Sequence, residues 1–348
     1  MRRVEFLFAL FLTLPISAQA ETTDAVQACL AGAGPADAGV PASAAAASAH
    51  RDALVEAADL CAEAGQSPNA SGDVLFLASE VAQGRRDMAG AFALLERAAK
   101  LDFAPAETRL GDYYLFGAAP GGEDATKAVV HFQRAVELGD PAGMTTLALL
   151  YSVGKGVTRD AGKMVELLTQ AADAGYHFAQ FRLAQTYLNG EGIPGRADPA
   201  LGIPDPARAA ELFGAAAENG NQKAALELAA LYADPNSGLP DDPDQQLRLI
   251  RMAASQDVPE AVAMLGVLYE TGRGVAKKPE IAARIYVRAM ESGKVAFDQL
   301  RAGAPGRWDR DTALAFQRLL QDRGLYTGAL DAIVGPGTAA AARALAAE

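Results

Sequence analysis

The stretch LALLYSVGKGVTRDAGKMVELLTQAADAG, Leu147 to Gly175, decides the fold. A small residue at Gly143, then Leu147, Ala148 and Tyr151, stand at offsets −4, 0, +1 and +4, which is one face of an α-helix. Gly154 and Gly156 follow, and glycine enters the left-handed backbone a helix end needs without a steric penalty. Leu167, Leu168, Ala171 and Ala172 then give a second apolar column, closed by Gly175. Upstream, Asp140-Pro141 supplies an N-cap residue and a first-turn proline. The stretch therefore reads as a hairpin of two helices, A and B. Its apolar face is too small to stand alone.

The same pattern recurs along the chain. Leu110-Gly111, Leu147-Ala148, Leu183-Ala184, Leu228-Ala229 and Leu265-Gly266 form one column, each followed by a tyrosine: Tyr114, Tyr151, Tyr187, Tyr232 and Tyr269. A second column holds Ala135, Ala171, Ala216, Ala253 and Ala289, and a third Gly139, Gly175, Gly220, Asp257 and Gly293. A shorter-looped copy precedes these at Leu77-Ala78, Val81, Gly84 and Ala98-Ala99, and a half-copy at Cys61 to Gly65. Fixed-period self-similarity of this length means stacked repeats. The loops GKGV at Gly154, GEGI at Gly190 and GRGV at Gly272 resemble those of the Sel1-like repeat, an α/α unit akin to the tetratricopeptide repeat. Two copies depart: Leu239 to Gln246 is acidic and proline-rich, and the copy between Gly190 and Ala209 carries extra residues. The resemblance implies an all-α, right-handed α/α solenoid of about six hairpins over residues 74–303, preceded by capping helices over 21–73.

The N-terminus reads as an export leader: Arg2-Arg3, an apolar run from Phe6 to Leu14, Pro15, and Ala18-Gln19-Ala20 as a small-x-small cleavage site. Residues 1–20 are expected to be removed, which places the protein in the periplasm. Glu21 after the cut does not support lipoprotein acylation, and no segment approaches the roughly 18 to 20 apolar residues of a membrane-spanning helix. Without the leader, 29 basic and 42 acidic residues remain, a net charge of −13, which repels nucleic acid and anionic lipid. The two cysteines, Cys29 and Cys61, are expected to pair in an oxidising compartment; two buried free thiols are the alternative.

After Gly303 the period fails. Phe316-Gln317, Leu320, Gly324-Leu325-Tyr326, Gly328, Asp331 and Gly335-Pro336-Gly337-Thr338 resemble the three-helix peptidoglycan-binding-like module of bacterial envelope proteins, over residues 304–348. That resemblance implies glycan contacts from Tyr326, Asp331 and Thr338. It departs from the family pattern at Ala332, where glycine is usual, and at Val334, where an aromatic is usual. A structural cap over the last repeat is the competing expectation.

Catalytic, metal and cofactor signatures fail on context. Gly190 to Gly195 spells GxGxxG but follows a helix rather than a strand, and Ser152 to Lys155 spells SxxK without partner motifs. Asp234, Asn236, Asp241, Asp242 and Asp244 lack the glycine register of a calcium loop. No cysteine or acid stands at ligand spacing from His50, His131 or His177. The expectation is a binding protein without enzymatic activity, metal or cofactor. The positions two before and two after each column Leu project away from the A-helix buried face. They include Leu149, Phe181, Gln185, Leu226, Ala230 and Val267, a largely apolar row expected to line a groove for an amphipathic or extended partner segment; tighter packing that buries Phe181 and Leu226 against neighbouring A helices is the alternative. Family resemblance implies an adaptor that assembles or regulates envelope protein complexes, held near the cell wall by its last module. A glycan-binding accessory of peptidoglycan or exopolysaccharide enzymes is the alternative.

Overall fold

A computed structural model of the chain describes residues 16–33, 44–190, 204–302, 304 and 306–345. The first 15 residues of the expected leader lie outside that range, as do residues 191–203, which hold most of the extra residues after Gly190. Among the described residues the regular structure is entirely helical. The chain forms two compact units: residues 1–41, 46–150 and 154–158, and residues 42–45, 151–153 and 159–348.

In the first unit, α1 (Ile16–Ala33), α2 (Ala44–Glu56) and α3 (Ala58–Gln66) precede the hairpin of α4 (Gly72–Gly84) and α5 (Met88–Ala99) and that of α6 (Ala104–Leu115) and α7 (Ala125–Glu137). Helix α1 runs through the expected cleavage position after Ala20. Cys29 and Cys61 are fully buried and joined by a disulfide, fastening α1 to α3. They share a core with Val74, Leu75, Leu77, Leu95, Leu110 and Tyr113. Arg97 donates to the carbonyls of Gly65 and Ser67 at 2.7 and 2.6 Å, holding α5 on the end of α3. Helix α8 (Pro141–Val153) opens the next repeat, and its first ten residues belong to this unit.

The second unit carries α9 (Ala161–Asp173), α10 (His177–Asn189) paired with α11 (Pro206–Glu218), α12 (Gln222–Leu231) with α13 (Pro243–Ala254), and α14 (Pro259–Thr271) with α15 (Pro279–Glu291). A 3-10 turn at Phe297–Gln299, α16 (Arg310–Asp322) and α17 (Pro336–Leu345) complete it. Among the described residues of 304–348 there are two α-helices, α16 and α17, where the resembled module has three. Phe316, Leu320, Ala342 and Leu345 bury into one cluster with Tyr286, Val287 and Met290 of α15, so α16 and α17 cover the last repeat. Trp308 is the wedge, 5.2 Å from the Tyr286 ring and 5.1 Å from that of Phe316.

The repeat columns have a physical meaning. An added Cβ at Gly111 would stand 2.6 Å from Phe132, and one at Gly266 2.5 Å from Tyr286, so helix B presses its aromatic onto the residue after the column Leu. Five hairpins are closed by the same bond: the N–H of Asp124, Asp160, Asp205, Asp242 and Lys278 donates to the carbonyl of Tyr114, Tyr151, Tyr187, Tyr232 and Tyr269 respectively. The Asp205 bond to Tyr187 forms at 2.8 Å despite the longer loop. Doubling a loop adds only about 0.6 kcal/mol of closure entropy, so the insertion is carried without disturbing the hairpin. At the turns between hairpins, Gly139, Gly175, Gly220 and Gly293 have φ from 66° to 94°, and Asp257 adopts φ 53° in the same place.

Candidate functional site

The expected groove row divides by position within the A helix. Residues two before the column Leu lie in the half of helix A that packs on the next hairpin. Thr108 hydrogen-bonds Asp140, the N-cap of α8, and Lys223 of α12 stands 5.4 Å over the Phe181 ring. Asn219 donates to Gln180 at 3.0 Å and Asn221 to the His177 carbonyl at 3.3 Å across the same junction. Phe181 is 6% exposed, packed 5.6 Å from the Phe213 ring, so it is a core residue and not a groove wall. Leu226 is half-buried. The helical arithmetic placed these side chains correctly within their own helix but did not supply the neighbour that covers them.

Residues two after the column Leu are less covered. Leu149, in the first unit, is half-buried. In the second unit Gln185 is half-buried and accepts from Arg182 at 3.0 Å, and Ala230 is exposed. Ala230 and Val267 line one depression of about 240 Å³ with Ile250, Met264 and Leu268. A second hollow, about 210 Å³, shares Met264 and Ala302 with it and adds Ala263 and Leu300. Met264 and Ala302 were not singled out in the sequence; Met264 sits one residue before a column Leu and Ala302 lies beyond the last repeat.

In the C-terminal stretch, Tyr326, Asp331 and Thr338 do come together, around Gln317. That side chain is fully buried; its Nε2 donates to Asp331 Oδ1 at 2.9 Å and to the Ile333 carbonyl at 3.1 Å, and its Oε1 accepts from the Ala332 N–H at 2.9 Å. Tyr326 Oη donates to the Ala329 carbonyl at 2.9 Å, and Thr338 is 1% exposed. These polar groups are spent on shaping the loop between α16 and α17. Bonds from Gln317 and the Ile333 N–H hold the Asp331 carboxyl below the usual carboxylate range. The loop's exposed apolar side chains are Leu330 and Ile333, the latter 67% exposed, which the sequence reading did not select.

Two charged groups are held in unusual settings. Glu270 is 2% exposed; it accepts from Tyr286 Oη at 2.6 Å, Arg301 Nε at 2.8 Å and the Asp309 N–H at 2.8 Å. Burial, followed by that bond to Glu270, pushes the Tyr286 hydroxyl far above its ordinary range. In the first unit, burial holds Asp112 up at about 6; Arg109 opposes the shift and Asp140 adds to it. Two of the three histidines meet acids, on other helices: His131 Nδ1 lies 2.8 Å from Glu107 and His50 Nε2 3.5 Å from Glu80. These are pairs; no group of three or more metal-ligating side chains occurs among the described residues.

Comparison with known proteins agrees with the hairpin architecture. The Sel1 repeat model matches residues 76–103, 104–140, 141–176, 177–221 and 259–294, together more than half of the chain. The copy at residues 222–258, with the acidic loop, lies outside these matches. Chitin synthase regulatory factor 3 of Schizosaccharomyces pombe is 28% identical over 214 residues, covering 60% of this chain and 22% of that protein's length. The crystal structure of a Sel1 repeat protein from Oxalobacter formigenes matches with a TM-score of 0.53 at 20% identity, covering 78% of this chain and 96% of that one. A protective antigen of uropathogenic Escherichia coli displaying an SLR fold covers 94% of this chain and 83% of its own at 18% identity, with a TM-score of 0.40. On the five matched repeats and the shared α/α architecture, the chain belongs to the Sel1 repeat family.

Proposed function

We propose that this chain is an exported, periplasmic scaffold that binds a protein partner and assembles or regulates an envelope complex, with its C-terminal stretch holding it near the cell wall. The observation that carries the reading is the pair of adjoining apolar hollows at Ala230, Val267, Met264 and Ala302, which hairpin stacking leaves uncovered. An apolar surface of this kind, on a repeat scaffold without a metal-ligating cluster among the described residues, suits a partner's amphipathic or extended segment. A regulatory role finds support in the relative named as a chitin synthase regulatory factor. Export rests on the leader-like first 20 residues, and wall tethering on exposed Leu330 and Ile333 beside the module-like sequence.

A photo-crosslinking residue at Ala230 in intact cells, with Val267→Asp as the paired variant, tests the reading. Crosslinking to one protein that disappears in the Val267→Asp chain, with the melting temperature within about 2 °C of wild type, is the expected result. Capture unaffected by Val267→Asp would reject the hollows as the docking surface. Mass spectrometry of the chain recovered from the periplasm should find Glu21 at its N-terminus. Sedimentation with purified peptidoglycan should weaken on Ile333→Asp. A truncation after Gly303 is the poorer wall test, since it strips Phe316 and Leu320 from the core of α15.

A further inference from the structure

Tyr232 is the odd member of its column. The side chains of the other four each meet a cation of this chain, whereas Tyr232 meets Arg273 through its backbone carbonyl, at 3.2 Å. Lys127 Nζ lies 5.4 Å from the Tyr114 ring centroid and Lys163 Nζ 5.1 Å from that of Tyr151. Arg208 interacts electrostatically with Tyr187, and Arg251 Nη2 donates to Tyr269 Oη at 3.2 Å. Lys127, Lys163 and Arg208 stand three residues after the N-caps Asp124, Asp160 and Asp205. The same place after the N-cap Asp242 holds Gln245. Among the described residues no Lys or Arg makes a cation-π contact with Tyr232.

The space left over is substantial. Helices α11 and α13 flank a cleft of about 630 Å³ that Tyr232, Gly214, Glu211, Glu218, Asp242 and Gln245 line. Gly214 widens it: an added Cβ there would meet nothing nearer than 3.8 Å, so no close approach demands glycine in the interior of α11. At the matching place, two before the column alanine, other B helices carry Gln133, Thr169, Arg251 and Val287. Glu211 is paired with Arg208 at 2.6 Å, whereas exposed Glu218 has no ion pair among the described residues. Arg248 at the rim is turned to Gln245, 2.8 Å from its Oε1. The cleft lies between the matched repeat at residues 177–221, which supplies α11, and the unmatched one at residues 222–258.

We propose that this cleft takes a Lys or Arg side chain from a basic segment of a partner protein. The cation sits over Tyr232 where Lys127 and Lys163 sit over their own tyrosines, and Glu218 is its counter-ion. An aromatic face and an acidic wall, on a chain of net charge −12, select a cation and repel an anion. This extends the protein-binding reading to a second surface but does not depend on the hollows at Val267.

The probe is a fluorescein-labelled tetra-arginine peptide, titrated with the full mature chain by fluorescence anisotropy at low salt. Gln245→Lys restores the internal cation and should weaken binding about tenfold, through the occupied ring and the added like charge. Gly214→Gln fills the cleft and should also weaken binding, while helix propensity keeps the melting temperature at or above wild type. Tyr232→Phe keeps the ring and should stay within about twofold. Gln133→Lys, a matched charge change on α7, should also stay within about twofold. The proposal is overturned if Gln245→Lys binds like wild type, or if Gln133→Lys weakens binding as much, which would mean a diffuse attraction to the acidic surface. Val267→Asp should leave the peptide affinity unchanged, so the cleft and the hollows can fail separately.

Discussion

Replacing Glu270 with Ala should destabilise the end of the second unit more than any other single polar change in it. The carboxylate has 1% side-chain exposure and satisfies three donors: Tyr286 Oη, Arg301 Nε and the Asp309 N–H. Its removal leaves the Arg301 guanidinium, 12% exposed, without its counter-ion, and strands a hydroxyl and an amide beside it. Breaking a buried pair by deleting one member costs about 3–5 kcal/mol, most of it from the charge left behind. Glu270→Gln retains an acceptor and the volume, so it should cost about 1–3 kcal/mol. Trp308, the only tryptophan, packs on Tyr286 and lies under Arg301, so its fluorescence reports this junction directly. In urea, with a slope of about 2–3 kcal/mol per M, the Trp308 midpoint of Glu270→Ala should fall by about 1–2 M. Far-UV circular dichroism, which sees every hairpin, should lag behind it, because repeat stacks unfold in neighbouring blocks. A Glu270→Ala midpoint within about 0.3 M of wild type, or Trp308 and dichroism curves that coincide, would refute the view of Glu270 as the clasp between α14 and the C-terminal helices.

Three further outcomes follow from the geometry. The folded pKa of Asp112 is raised from 3.8 to about 6, so its contribution is present below the unfolded value and is lost as pH rises through about 6. Asp112→Asn should therefore gain about 1–2 kcal/mol over wild type between pH 4 and pH 7, read as a widening gap in urea midpoints. Ala332 has φ 62° at a position where the resembled module has glycine, and Ala332→Gly should stabilise the chain by about 0.5–1 kcal/mol after the entropy of the more flexible unfolded chain is subtracted. Reducing the Cys29–Cys61 bond, which closes a loop of sequence separation 32, should cost the first unit about 3–4 kcal/mol and leave the Trp308 transition in place.

The sequence reading reached the hairpins because one period appears in three columns: Leu and its tyrosine, the helix-B alanine, and the turn glycine. Even Asp257 was legible as the turn residue of its repeat, since Asp tolerates left-handed backbone better than most side chains. Contacts that join one repeat to the next were not legible. Phe181 looked outward by offset from Leu183, yet Phe213 and Lys223 cover it, and neither is fixed by counting along α10. The acid partners of His131 and His50, and the clasp at Glu270, involve residues 16 to 39 positions apart that follow no single column. Tyr326, Asp331 and Thr338, grouped in the sequence as glycan contacts, surround Gln317 in the structure, because a buried amide must find acceptors and a donor wherever the loop can supply them.

A linear stack of repeats melts most easily at its two extremities, where a hairpin has only one neighbour. Here the first helices of the first unit are pinned by a covalent bond from α1 to α3, and the last repeat of the second unit by the Glu270 clasp and Trp308 wedge. Breathing is thereby pushed away from these pinned helices. Limited proteolysis of the native protein should accordingly nick an interior loop first, such as the proline-rich connection at residues 234–242, and yield large fragments rather than a chain shortened from its ends.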